Sequence, residues 1–299
     1  CESDPHARSV LARHWPDVPC HDDITTLDGK DWRGRVDVVA GGTPCTDLSV
    51  AGRRAGLGGE HSRIYWDFCR VADSSAADWI LWENVAGALS SGDGEDFAAV
   101  LWGITGCRPA VPADGWRSVG LCVGPGRTAV WRLLDAQWFG VAQRRRRVFV
   151  VASARAECGL EVLVEPESVP RGTRPGGETG QSVAALTAAG VGTCGADDNQ
   201  GQAGHLTSGR GQRRLDDQHS LPAGNGGSSR QNGALTPGLA VRRLTPRECE
   251  RLMSWPDDWT RWAGDGTEIA DSHRYRMCGN GVVSNCAEWI GRRIMEAAS

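Results

Sequence analysis

The sequence predicts an α/β fold: a sheet flanked by helices, with a second, smaller unit rich in loops and short strands. Three observations lead there. Short apolar runs at 36–40, 79–82 and 148–152 alternate with amphipathic stretches, the rhythm of a parallel sheet with crossover helices. Beyond Ala152 the composition changes, and residues 171–240 are rich in glycine, hold no Phe, Trp or Tyr, and sustain no helical period. Periodicity then returns near Val241 and runs to the C-terminus. At 299 residues the chain can bury one sizeable core and support a smaller unit beside it.

Taken in order, Cys1-Glu2-Ser3-Asp4 reads as a strand end leading into a helix over 5–14, which Pro5 opens and Trp15-Pro16 stops. A short strand is expected at 18–20, a buried strand at 36–40, a helix at 62–71 and a strand at 79–82. A helix at 129–137 and a final buried strand at 148–152 follow. Thr245 is placed to cap a helix carrying Glu248, Cys249, Leu252 and Met253, and an amphipathic helix over 284–297 closes the chain. The expected organisation is a first domain over 1–152, a second over 153–267, and a closing segment over 268–299.

Charge and cysteine usage narrow the classes. The net charge of −4 excludes a uniformly basic nucleic-acid binder, so any DNA affinity must come from local arginines. Lys30 is the only lysine among 33 basic residues, and arginine's forked guanidinium suits phosphate and guanine. Eleven cysteines, odd in number and without a CxxC pair, argue against a disulfide framework or a zinc cluster and for a reduced, cytosolic compartment. No apolar run reaches the roughly 18–20 residues of a membrane span, and no signal peptide is visible.

The chemistry is concentrated at strand ends. Gly41-Gly42-Thr43-Pro44-Cys45-Thr46-Asp47-Leu48-Ser49 follows an apolar run and puts a thiol on a tight turn, where α/β sheets keep their active sites. The thiolate is the reactive form, so the site needs cationic help, for which Arg53-Arg54 and the run Arg144 to Arg147 are candidates. The strand at 79–82 ends in Glu83-Asn84-Val85, placing a carboxyl at a second strand tip. Taken singly, Cys45 could be a packed thiol and Glu83 a helix-start carboxylate. Together they suit addition to an electron-poor heterocycle, with sulfur attacking a ring carbon while the acid serves a ring nitrogen. Gln143-Arg144-Arg145-Arg146-Arg147 is the densest positive charge in the chain, and alternate residues entering a strand face one side.

In this order the motifs resemble those of the cytosine-C5 DNA methyltransferases of bacterial and phage type, over nearly the whole chain. The block Arg243-Leu244-Thr245-Pro246-Arg247-Glu248, with Trp255-Pro256-Asp257-Asp258-Trp259, is similar to the one that organises the family's recognition domain. Gly279-Asn280-Gly281-Val282-Val283 is similar to its last motif. The resemblance implies a Rossmann-like, S-adenosyl-L-methionine-dependent methyltransferase sheet with a loop- and strand-rich target recognition domain. It implies catalytic roles for Cys45, Glu83, Arg145 and Arg147, and DNA contacts from Ser49, Gln143 and Arg243. Glu2 would accept the cofactor's ribose hydroxyls, Asp23 and Ile24 would hold its adenine, and Pro44, Asn280 and Val282 would complete its pocket. The implied partner is double-stranded DNA with a flipped-out cytosine, with no metal and no membrane, and the implied state is a cytoplasmic monomer, in a restriction-modification setting among others. Thr43, Thr46 and Ala142 depart from the residues usual at those places. The family's first motif, F-x-G-x-G, is absent ahead of Glu2, which implies a chain lacking the segment that carries it. Two alternatives stay open: an RNA methyltransferase of the same fold, against which the long region after Ala152 argues, and a catalytically inactive DNA-binding relative.

Overall fold

The computed structural model describes residues 1–43, 60–154, 158–164 and 242–299. The chain divides into two units, Cys1–Cys194 with Leu244–Ser299 and Gly195–Arg243, and of the second only Arg242 and Arg243 are described. The first unit is a three-layer arrangement around a five-stranded sheet. Its strands are β1 (Val38–Gly41), β2 (Trp79–Val85), β3 (Val119–Val123), β4 (Thr128–Asp135) and β5 (Arg146–Ser153), in the order β1-β2-β5-β4-β3.

Side-chain alternation along the strands separates two cores. Ile80, Trp82, Trp131, Val148 and Val150 face one side, where they meet Tyr65 and Phe68 of α2 (Glu60–Ser75) and Phe97 and Ile104 of α3 (Glu95–Thr105). Trp79, Val130, Phe149 and Val151 face the other, against α4 (Cys158–Leu163) and Ile290 and Ile294 of the C-terminal helix α7 (Ser284–Ala298). The helix α1 (Pro5–His14) starts where expected, because the Asp4 carboxylate accepts from the His6 and Ala7 amides and Pro5 presets the first turn.

Four expectations are corrected. Residues 36–40 are not a buried strand: β1 pairs only with β2 among the described residues, Val39 packs on the core, and Val38 stays 38% exposed at the sheet's edge. The sheet is not parallel throughout, since only β1 and β2 run parallel and the other three pairings are antiparallel. Residues 124–127 make a tight hairpin between β3 and β4, a connection that forces antiparallel pairing. Residues 129–137 are not a helix. They lie mostly in β4, between β3 and β5 and buried at Thr128 to Trp131, and end in a 3₁₀ turn, Ala136–Phe139, capped by Asp135. Good helix formers are overridden there by long-range pairing. Residues 18–20 form no strand.

The C-terminal region contributes α5 (Pro246–Leu252) and α6 (Asp271–Asn280). Thr245 and Glu248 form a reciprocal capping box at the start of α5. The buried Glu250 accepts from the backbone amides of Asp258 (2.8 Å) and Thr260 (2.9 Å), from the Thr260 hydroxyl, and from Arg274 Nη2 (3.1 Å). Arg247 pairs with Asp258 and Arg251 with Asp257, so the loop after α5 is held at several points. This region docks on α1: the His14 and Trp259 rings stack 3.5 Å apart, and Val10 packs with Ala263 and Ile269.

Candidate active site

β1 and β2 run parallel with Gly41 opposite Trp82, so their carboxyl ends finish side by side. The chain leaving β1 is fastened to β2 there. Trp82 Nε1 donates to the Thr43 hydroxyl (2.9 Å) and Asn84 Nδ2 donates to the Thr43 carbonyl. Glu83 lies between these two anchors. Gly42 lets the chain pass this close, since a β-carbon there would sit 3.2 Å from Glu83 Oε2. Cys45, Pro44 and Ser49 lie outside the described residues.

β5 returns antiparallel to β2, with Val85 opposite Arg147 and Glu83 opposite Phe149. Glu83 and Arg147 are therefore diagonal neighbours on one face. Arg147 Nε lies 3.1 Å from Glu83 Oε1, with the two side chains 20% and 18% exposed. Burial raises the Glu83 carboxyl above its ordinary value, against the opposing pull of Arg147 and then Arg145. The result is a carboxyl group that keeps its proton more readily than a surface glutamate while a cation holds it in place.

The alternation expected for the arginine run is present: Arg144 and Arg146 are exposed, whereas Arg145 and Arg147 are partly buried. Arg145 points elsewhere than Arg147, however. Its Nη2 donates to the carbonyls of Gly279 and Gly281, both at 2.7 Å, while its backbone N–H donates to Asp135. Burial, then the neighbouring Arg147 charge, bring its pKa down to about 10. Gln143 Oε1 and Arg145 Nε are buried with no hydrogen-bond partner among the described residues. Such orphans mark places where a ligand's polar atoms can be received. Arg243 is exposed and belongs to the other unit.

A second group of residues gathers at the start of α1. The Glu2 amide donates to the His21 carbonyl (2.9 Å), which puts the Asp22-Asp23-Ile24 turn beside it. Glu2 Oε1 accepts from the Asp4 amide, and its other oxygen takes no hydrogen bond among the described residues. Hydrogen bonds from Thr25 hold the Asp23 carboxyl below its ordinary value, so it remains an acceptor. Ile24 packs its side chain on the core below. α6 is tied to the same corner, with Arg276 Nη1 3.7 Å from Asp4 Oδ2 and His6 stacked on His273. Asn280 is the exposed last residue of α6, and Val282 packs half-buried just beyond it. The corner thus offers the Glu2 and Asp23 carboxylates as acceptors, which fits a cofactor bearing hydroxyl and amino groups. Asp135 is not singled out from sequence, nor are the anchoring role of Asn84 and the packing of Trp255 against Gly281. The Trp255 indole would lie 2.5 Å from a β-carbon at residue 281, so only glycine fits there. Among the described residues no three His, Cys, Asp or Glu side chains cluster as a metal site, and no helix is long and apolar enough to cross a membrane.

The chain is similar to known proteins. The family described as C-5 cytosine-specific DNA methylase matches residues 1–170 and 199–296. The chain is 30% identical to a protein of Escherichia phage P1 named DNA N-6-adenine-methyltransferase, across 99% of this chain but 58% of that protein. It is 26% identical to the type II methyltransferase M2.BsuMI of Bacillus subtilis, across 99% of this chain and 69% of the relative. Among solved structures, S. pombe Dnmt2 methyltransferase superposes with a TM-score of 0.55 at 15% identity, covering 100% of this chain and 90% of that one, a likeness of fold. The chain belongs to the C-5 cytosine-specific DNA methylase family.

Proposed function

We propose that the protein is a DNA (cytosine-5-)-methyltransferase acting on a cytosine flipped out of duplex DNA, at a cost of a few kcal/mol in unstacking. The observation that carries this reading is Glu83: a carboxyl of raised pKa, ion-paired to Arg147, beside the anchored Thr43 that precedes Cys45 by two residues. The Cys45 thiolate adds to C6 of the base. The C5–C6 π electrons move into the ring, and Glu83 supplies the proton that N3 gains. Arg147 holds Glu83 and faces the base, and Gln143 Oε1 receives a polar atom of the DNA. C5 is then a carbon nucleophile; after methylation N3 returns its proton to Glu83, the C5 proton is lost to solvent, and the C5–C6 double bond re-forms as Cys45 leaves as the thiolate.

The cofactor is S-adenosyl-L-methionine, which when bound supplies an electrophilic methyl group. Glu2 would accept ribose hydroxyls, Asp23 and Ile24 would hold the adenine, and Pro44, Asn280 and Val282 would close the pocket. Ser49 and Arg243 are assigned to DNA contacts, and the sequence-reading unit to the region 153–267. The expected state is a cytoplasmic monomer needing no metal.

The test is nucleoside analysis and bisulfite sequencing of plasmid from cells expressing the chain. 5-Methylcytosine in one short context, absent with Cys45→Ala, supports the assignment. N6-methyladenine instead, as the phage P1 relative's name would suggest, or methylation of tRNA alone, would overturn it.

A further inference from the structure

We propose that Arg145 is a positioning residue on the cofactor side of the site, clamping the carbonyls on either side of Asn280 and so setting affinity for S-adenosyl-L-methionine rather than gripping the flipped base. This rests on the reading above, in which Asn280 and Val282 border the cofactor.

Three observations carry it. First, two arginines on the same face of the β5 lead-in divide their work: Arg147 goes to Glu83 and Arg145 turns to Gly279 and Gly281. Second, α6 ends at Asn280 and leaves its last carbonyls without helical partners, and its own last turn holds no basic residue. Arg145 supplies from another element the cation that a helix C-terminus favours. Third, the turn is pinned from both sides. The Trp255 indole packs against Gly281, and Asp135 holds the Arg145 backbone at the end of β4. With a pKa near 10, Arg145 still carries its charge at neutral pH despite burial. Both carbonyls are bound by one nitrogen, Nη2. A clamp of that kind needs a single cationic donor, whereas planar recognition of a base needs the guanidinium fork.

The experiment compares the full chain with Arg145→Gln, Arg145→Lys and Arg147→Gln. Affinity for S-adenosyl-L-methionine is read by calorimetry, affinity for duplex DNA by anisotropy, and backbone order by hydrogen exchange over 277–283. Losing hydrogen bonds from a charged group should weaken cofactor binding by about tenfold or more in Arg145→Gln and leave DNA affinity within about twofold. Exchange over 277–283 should rise in the same variant. Arg145→Lys should recover most of both effects, and Arg147→Gln should show neither. Unchanged cofactor affinity in Arg145→Gln, or a lysine variant as impaired as the glutamine one with exchange at the wild-type level, would overturn the inference. If Arg145→Gln does not fold, the lysine variant and its exchange pattern decide alone. A wild-type chain that binds no S-adenosyl-L-methionine would instead overturn the functional reading, and the exchange comparison, which needs no cofactor, would still judge the clamp.

Discussion

Two glutamate–arginine pairs in this molecule have opposite characters. Glu250 and Arg274 are buried, and Glu250 is saturated by two backbone amides, a hydroxyl and the guanidinium. Glu83 and Arg147 lie where two interior strands, β2 and β5, meet at the carboxyl end of β2, and Glu83 has Arg147 as its one hydrogen-bonded partner among the described residues. A saturated carboxylate has no capacity left for a ligand and serves the fold. An under-satisfied one, held by a cation beside the end of a neighbouring strand, has lone pairs free for a ligand. Sequence alone does not separate the two, since both are Glu residues near Arg residues.

The comparison can be broken experimentally. Glu83→Gln should lower kcat by about 10²–10⁴, the range for losing a general acid, with little change in Tm. Arg274→Met should do the reverse, because it strands the buried Glu250 charge. Unfolding free energy should fall by about 3–5 kcal/mol, with kcat per folded molecule unchanged in single-turnover assays. If the two variants exchanged phenotypes, the division between site and scaffold would be wrong.

A pH dependence sharpens the contrast. The folded-state pKa of Glu83 lies above its unfolded value, so in the interval between them the folded protein binds the extra proton. Stability therefore falls as pH rises through that interval and is flat on either side, and Glu83→Gln should abolish this dependence in denaturation curves. In the proposed mechanism this is the proton that N3 receives, so kcat should decline as pH rises through the folded pKa. Arg147 lowers that pKa, and Arg147→Gln should move the declining limb to higher pH, read from a pH–rate profile. A limb that moved to lower pH would contradict the assignment of Arg147. The smallest effect belongs to the scaffold: Thr245→Ala removes the α5 cap and should cost about 1 kcal/mol in chemical denaturation, with no kinetic signature.

Elements governed by local chemistry are legible in the amino-acid sequence. α1 has its cap and its proline, α5 has Thr245 and Glu248, and the amphipathic α7 runs one residue past its expected end. Those governed by distant partners are not. β4 carries helix-forming residues and is a strand because β5 and β3 flank it, and β1 reads as interior yet sits at an edge. The site divides in the same way. Glu83 and Arg147 are readable because strand tips and strand alternation place them. The direction of Arg145 is not, because its carbonyl partners lie 134 and 136 residues along the chain.

The stacking of His14 on Trp259 has a consequence for synthesis. The two residues are 245 positions apart, so α1 leaves the ribosome long before the surface that receives it exists. At about 5–20 residues per second the helix waits roughly 12–50 s for that surface, with Val10 uncovered. The N-terminal corner, which holds Glu2 and Asp23, is thus among the last parts of the protein to be completed, and a nascent chain halted before Trp259 would carry the strands of the sheet without the seam that seats its first helix.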